Sequence, residues 1–165
     1  MCGIIGIASS KPVSMNIISS LKKLEYRGYD SAGLATINKN EISEKKCSGR
    51  VEELEKILFK KPSDGNLGIG HVRWATHGIP NVVNAHPHSS EIVSVVHNGI
   101  IENSDEIKKD LESQGLKFKS QTDTEVITLL ITESLKDNEP LESVFNTLKQ
   151  LKGSFALGII FKDYK

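Results

Sequence analysis

Apolar positions along the chain change period repeatedly, and each change marks an element. GIIGIA (3–8) is a short, near-continuous apolar run, the pattern of a buried strand. SMNIISSLKKLEYRG (14–28) puts Ile17, Ile18, Leu21 and Leu24 on one helical stripe. Ser14 is placed to cap that helix, and Gly28 sits where a C-terminal glycine belongs. SAGLATIN (31–38) and EISEKKC (41–47) read as a strand pair turned at Asn38, Lys39 and Asn40. VEELEKILFK (51–60) has the helical period and is closed off by Pro62 and Gly65. GIGHVRW (68–74) is a further strand. ATHGIPNVVNAHPHSSE (75–91) then has no clean period, the mark of a functional or disordered loop.

Past that loop the pattern is more regular. IVSVVHNG (92–99) is an apolar strand running into His97-Asn98-Gly99. Asn103 with Glu106 has capping-box spacing, and a helix runs from there to Gly115. Thr122 with Glu125 makes a second box, opening EVITLLITESLK. Pro140 fits the first turn of another helix, with Leu141, Val144, Phe145, Leu148 and Leu151 on its apolar side. Gly153 ends it, and SFALGIIF (154–161) reads as a final buried strand. Hairpin-like strands mixed with helices predict an α+β fold. No repeat or linker divides the chain, so its 165 residues are expected to form one domain.

Composition narrows the function classes. Apolar residues make up 38% and charged residues 25%, as in a soluble globular protein. Lys+Arg and Asp+Glu are both 21, which argues against nucleic acid or an anionic membrane as the main partner. No apolar run approaches the roughly 20 residues of a bilayer span, and no secretory signal opens the chain. The two cysteines, Cys2 and Cys47, lack Cys-x-x-Cys spacing, which points to a reducing cytoplasm; Cys47 is expected to be a half-buried strand residue.

Candidate chemistry begins at Cys2. Methionine before so small a side chain is commonly removed, leaving a residue with both a thiol and a free α-amine. In model peptides an α-amine titrates near about 7.7–8.0 and a thiol near about 8.5, so such an amine can serve as base for its own thiol near neutrality. A thiol attacking a carbonyl creates an oxyanion, and Asn98 with the Gly99 N–H offers adjacent donors for it. Arg73 could fork onto a carboxylate, and Asp123 could hold an ammonium; the two together would select an α-amino acid. Taken singly, each has a plainer explanation. Cys2 can be a small hydrophobe, Asn98-Gly99 a hairpin turn, Arg73 a surface ion pair and Asp123 a helix-dipole partner. The five histidines, His71, His77, His86, His88 and His97, invite a metal reading, but no acidic or cysteine ligand joins them at a zinc spacing.

The combination is more specific than its parts. MCGIIG (1–6), LEYRGYDSAG (24–33), HVRWATHG (71–78), NAHPH (84–88), VVHNGIIEN (95–103) and TDTEV (122–126) occur in this order across the whole chain. Together they resemble the glutaminase domain of class II glutamine amidotransferases, which are N-terminal-nucleophile hydrolases. RGYDSAG and RWATHG are most similar to the glutamine–fructose-6-phosphate aminotransferase branch; amidophosphoribosyltransferases look more like RGQESAG and RYSTAG there. The resemblance implies a four-layer α/β/β/α sandwich, no cofactor, and hydrolysis of L-glutamine through a Cys2 thioester. It implies that Asn98 and Gly99 form the oxyanion hole, that Arg73 and Asp123 bind the glutamine carboxylate and amine, and that Trp74, Thr76, His77 and His86 lie at the loop closing over it. Arg27 belongs to the segment expected to brace the nucleophile.

In that family ammonia passes to a sugar-phosphate isomerase domain that aminates fructose 6-phosphate, and the full-length enzyme is expected to be a homo-oligomer. The chain stops directly after a strand, so residues 1–165 are expected to be a C-terminally incomplete glutaminase domain without its isomerase partner. Two other readings remain open at this point: a catalytically inactive module that binds glutamine or a partner, and a metal-binding domain built on the histidines.

Overall fold

Three apolar interfaces order the layers of this chain. The computed structural model describes residues 2–75 and 78–163. The strands β1 (Gly3–Ala8), β2 (Ser31–Asn38), β3 (Glu41–Ser48) and β4 (Leu67–Arg73) form an antiparallel sheet ordered β1-β4-β2-β3. Its outer face carries α1 (Ser14–Leu24) and α2 (Val51–Lys60), which bury Ile17, Ile18, Leu21 and Leu54 against Leu34 and Val72. Glycines make that contact close. A Cβ on Gly70 would lie 2.5 Å from Ile17 Cγ2, so a side chain there would push α1 off the sheet.

The second sheet, β5 (His88–Ser89), β6 (Val93–Ile101) and β7 (Gly153–Phe161), is also antiparallel and ordered β5-β6-β7. The helices α3 (Ser104–Ser113), α4 (Thr124–Ser134) and α5 (Pro140–Leu148) belong to its outer side, where Val93, Val95 and Ile101 meet Ile107, Leu111, Val126, Ile127 and Ile131. Between the sheets Ala35 and Ile69 pack on Val96 and Ile160. The stack is therefore helix, sheet, sheet, helix, the expected four-layer α+β sandwich. Strand alternation sends side chains two apart to one face. His71 and Arg73 follow Ile69 into the space between the sheets, and Asn98 follows Val96 toward it from the other side.

Several local expectations are corrected. β1 and β7 are edge strands, each pairing on one side, and most of their residues are half-buried or exposed rather than buried. An apolar run alone does not distinguish an edge from a sheet centre. On α5, Leu141 (69%) and Phe145 (54%) are exposed, while Ser143 and Thr147 are buried. The helix is rotated so that Val144 and Leu148, not the whole apolar stripe, lean on the core. Cys47 is buried rather than half-buried.

The caps also differ. Val13 precedes α1, and Ser14 is its first helical residue. Asn103 makes no cap bond; its side chain bonds Gln150 O and Lys152 N, tying the start of α3 to the turn before β7. Glu125 accepts from Lys119 N, Ser120 N and Ser120 Oγ rather than from Thr122 N, so it closes the preceding turn. Among the described residues no helix is long and apolar enough to cross a membrane.

Candidate active site

β1 pairs with β4 from Gly3 opposite Val72, which brings Cys2 to the Arg73–Trp74 end of the sheet's middle strand. There one residue's backbone holds the thiol twice. Trp74 N–H donates to Cys2 Sγ at 3.4 Å, and the thiol points to Trp74 O at 3.7 Å. The terminus is thus held by a ladder on one side and a backbone clasp on the other.

That clasp is itself gripped by residues 28–30. A Cβ on Gly28 would lie 2.5 Å from Arg73 C and 2.7 Å from Trp74 N, so the Arg73–Trp74 peptide rests directly on the glycine. Gly28 follows the 3₁₀ turn Glu25–Arg27 that ends the first helix, its N–H bonded to Glu25 O, at the C-terminal position expected; at φ −177°, open to any residue, it is glycine for room. Asp30 N donates to Arg73 O at 3.1 Å, and Asp30 Oδ2 accepts from Ala75 N at 2.6 Å. The Tyr29 ring meets Trp74 edge-on, with centroids 5.7 Å apart. Arg27 donates to its neighbour Tyr26 at 3.2 Å, so Gly28, Tyr29 and Asp30 make the brace. These three lie inside RGYDSAG, and only the string had signalled them.

The expected residues converge. Cys2, Arg73, Trp74, His86, Gly99 and Asp123 line one narrow cavity, together with His97 and Thr122. Asn98 approaches from β6, its Nδ2 donating to Cys2 O at 3.1 Å. Gly99 has φ +145°, and a Cβ there would strike Ser154 O, so only glycine fits. Arg73 is 4% exposed. Burial lowers its pKa, while Cys2, Asp30 and Asp123 hold it up. Asp123 is the residue before α4, yet its carboxylate does not cap that helix; Oδ2 accepts from Ile101 N at 2.9 Å across the gap to β6. Thr76 and His77 lie outside the described residues.

Behind the cavity sit four clustered imidazoles. β5 pairs with β6 only at Ser94 and Val95. Beyond that point side chains replace the strand. His71 Nε2–H donates to His97 O at 2.9 Å, and His97 N–H donates to His86 Nδ1 at 3.4 Å. The His71 and His86 ring centroids are 4.1 Å apart, and His86 and His88 are 5.1 Å apart. Thr124 Oγ1 bonds His86 Nε2 and His97 Nδ1, and Thr122 Oγ1 bonds His88 Nε2. Burial lowers every pKa in the group: His71 and His88 fall to about 3, and His86 falls well below its usual value. His97 is also lowered by burial, with the Asp123 carboxylate opposing the shift. The rings are therefore neutral at neutral pH. Sequence reasoning gave the histidines as a cluster but did not see that threonines hold them.

The family model for the glutamine amidotransferase domain matches residues 79–165. Glutamine–fructose-6-phosphate aminotransferase [isomerizing] of Mesorhizobium japonicum is 52% identical over 163 residues, 98% of this chain. The protein of that name from Bradyrhizobium diazoefficiens is 51% identical over 162 residues. The chain spans 27% of the length of each of these curated relatives. Among solved structures, glutamine phosphoribosylpyrophosphate amidotransferase from B. subtilis matches with TM-score 0.85 at 28% identity, covering 98% of this chain and 35% of that one. A glutamine aminotransferase class-II domain protein from Silicibacter pomeroyi, 14% identical with TM-score 0.62, shares the fold.

The neutral imidazoles set an acid limit. Unfolded histidine titrates near about 6.5, whereas these rings resist protonation while folded, so protons taken up below that pH favour unfolding. Stability is full above pH 6.5 and is lost toward pH 3, at about 1.4 kcal/mol per pH unit for each ring that stays neutral. Urea midpoints should be flat from pH 8 to 7 and fall steeply from 6.5 to 5.

Proposed function

The chain belongs to the glutamine amidotransferase domain family, and from that premise we propose that it hydrolyses L-glutamine to glutamate and ammonia at Cys2. The observation that carries this reading is the clasp of Cys2 Sγ by Trp74 in a cavity that also holds Arg73, Gly99 and Asp123. Removal of Met1 frees the Cys2 amine to take the thiol proton. The Arg73 guanidinium binds the glutamine α-carboxylate, and Asp123 binds the α-ammonium. This aims the side-chain amide at Sγ.

Attack forms a C–S bond and places negative charge on the amide oxygen. An Asn side chain carries two N–H donors. Asn98 gives one to Cys2 O, which keeps the other for the oxyanion beside the Gly99 N–H. Each such donor is worth about 2.7–4 kcal/mol of barrier. The protonated amine returns its proton to the leaving nitrogen, the C–N bond breaks, and ammonia departs from a γ-glutamyl thioester. Water then adds to the thioester and releases glutamate, regenerating the thiol. Trp74, half-exposed beside Cys2, limits water at the thiol.

By extension from the relatives' names, ammonia is passed to a sugar-phosphate isomerase domain that converts fructose 6-phosphate to glucosamine 6-phosphate. Residues 1–165 act as the glutaminase portion of a cytoplasmic homo-oligomer.

A glutamine-like diazo-ketone tests the nucleophile. One adduct per chain is expected, on Cys2, with Met1 absent from the modified peptide. A folded chain that takes up no adduct, or a Cys2→Ala variant that still consumes glutamine, would overturn the assignment. Gly28→Ala should push the Arg73–Trp74 peptide off its seat. A displacement of that size is expected to lower kcat/KM for glutamine about 10- to 100-fold, read in a glutaminase assay with far-UV circular dichroism unchanged.

A further inference from the structure

We propose that Thr122 and Thr124 are positioning residues that grip the His86-Pro87-His88 segment and so hold Asp123 in its substrate-binding place. The proposal rests on the glutamine-hydrolysis reading and deepens it. The two threonines are two residues apart, as are the two histidines, and they meet one to one. Thr122 Oγ1 lies 2.9 Å from His88 Nε2, and Thr124 Oγ1 lies 3.1 Å from His86 Nε2. Thr124 also reaches His97 Nδ1 on β6 at 3.0 Å, so one hydroxyl joins a loop, a strand and the start of α4. Both threonine side chains are buried, Thr124 completely.

Asp123 lies between the two grips. A carboxylate preceding a helix ordinarily turns back to the helix's own N–H groups. Here it does not, and it reaches Ile101 N instead. Holding it there requires residues 122–124 to keep a fixed register against β6, and the hydroxyl–imidazole bonds supply that register. Polarity is set at one ring. His86 Nδ1 accepts from His97 N–H, so its proton is on Nε2 and is donated to Thr124 Oγ1. Replacing that hydroxyl by a methyl group strands a buried N–H donor, and His86, which lines the cavity, must shift to satisfy it. The substrate-binding side of the pocket moves with it, while the Cys2–Trp74 clasp, carried by β1, β4 and residues 28–30, does not.

The test is the rate of Cys2 alkylation by the glutamine-like diazo-ketone, separated into an inhibition constant KI and a maximal rate kinact. Thr124→Val should raise KI about 5- to 10-fold with kinact within about twofold, and Thr124→Ser should restore KI. Unchanged KI in Thr124→Val, or a fall in kinact alone, overturns the proposal. Should Thr124→Val fail to fold, Thr122→Val is held to the same KI criterion. An independent readout is the imidazole ¹⁵N spectrum of the wild-type chain. His86 as the Nε2–H tautomer, altered in Thr124→Val and kept in Thr124→Ser, supports the grip; an Nδ1–H tautomer overturns it. If the wild-type chain takes up no diazo-ketone, the hydrolysis reading fails while the spectrum still judges the grip.

Discussion

A single backbone clasp organises this molecule: the hold of Trp74 on the Cys2 thiol. A chain's second residue frays unless something fixes it. Here β1 docks on β4, the edge strand delivers Cys2 to the end of the central strand, and Trp74 closes on it from both N–H and C=O. The clasp stays put because residues 28–30 sit beneath it. Gly28 leaves no room between its own backbone and the Arg73–Trp74 peptide, and Asp30 anchors the peptides on either side. The position of the thiol is thereby a consequence of how one sheet ends.

The opposite wall is built on different physics. Strand β6 outruns its partner β5, and its free edge is finished by His71 and His86 rather than by another strand. Buried imidazoles suit that task only while neutral, because each then offers one donor and one acceptor. Burial keeps them so. The result is a rigid, uncharged wall behind a cavity whose lining includes two side chains of opposite charge, Arg73 and Asp123.

The element pattern was largely readable in the sequence. The 3.6 period located the long helices and short apolar runs located most of the long strands, with glycine and proline near several of their ends. The motif strings brought Cys2, Arg73, Asn98, Gly99 and Asp123 into one hypothesis, and the fold brings them to one place. What was hidden depended on contacts between distant segments. Edge and central strands read alike because pairing partners are not local, which is why β1 and β7 were expected to be buried. Gly28 does end a helix, but that it must be glycine was hidden because the Arg73–Trp74 peptide it rests against is far off in sequence. Thr122 looked like a cap because the His88 ring that occupies its hydroxyl comes from another loop. Leu141 and Phe145 fit an apolar stripe, but the rotation of α5 on its neighbours was not encoded in the spacing.

If the proposed function holds, the clasped thiol meets a glutamine-shaped ligand oriented by Arg73 and Asp123. A crystal structure of the diazo-ketone-treated chain measures this directly. The expected result is a covalent bond to Cys2 Sγ, the ligand carboxylate on the Arg73 guanidinium, its amine on Asp123, and its carbonyl oxygen between Asn98 Nδ2 and Gly99 N. A ligand bonded elsewhere, or one bonded to Cys2 with its amine and carboxylate turned away from those two residues, would contradict it.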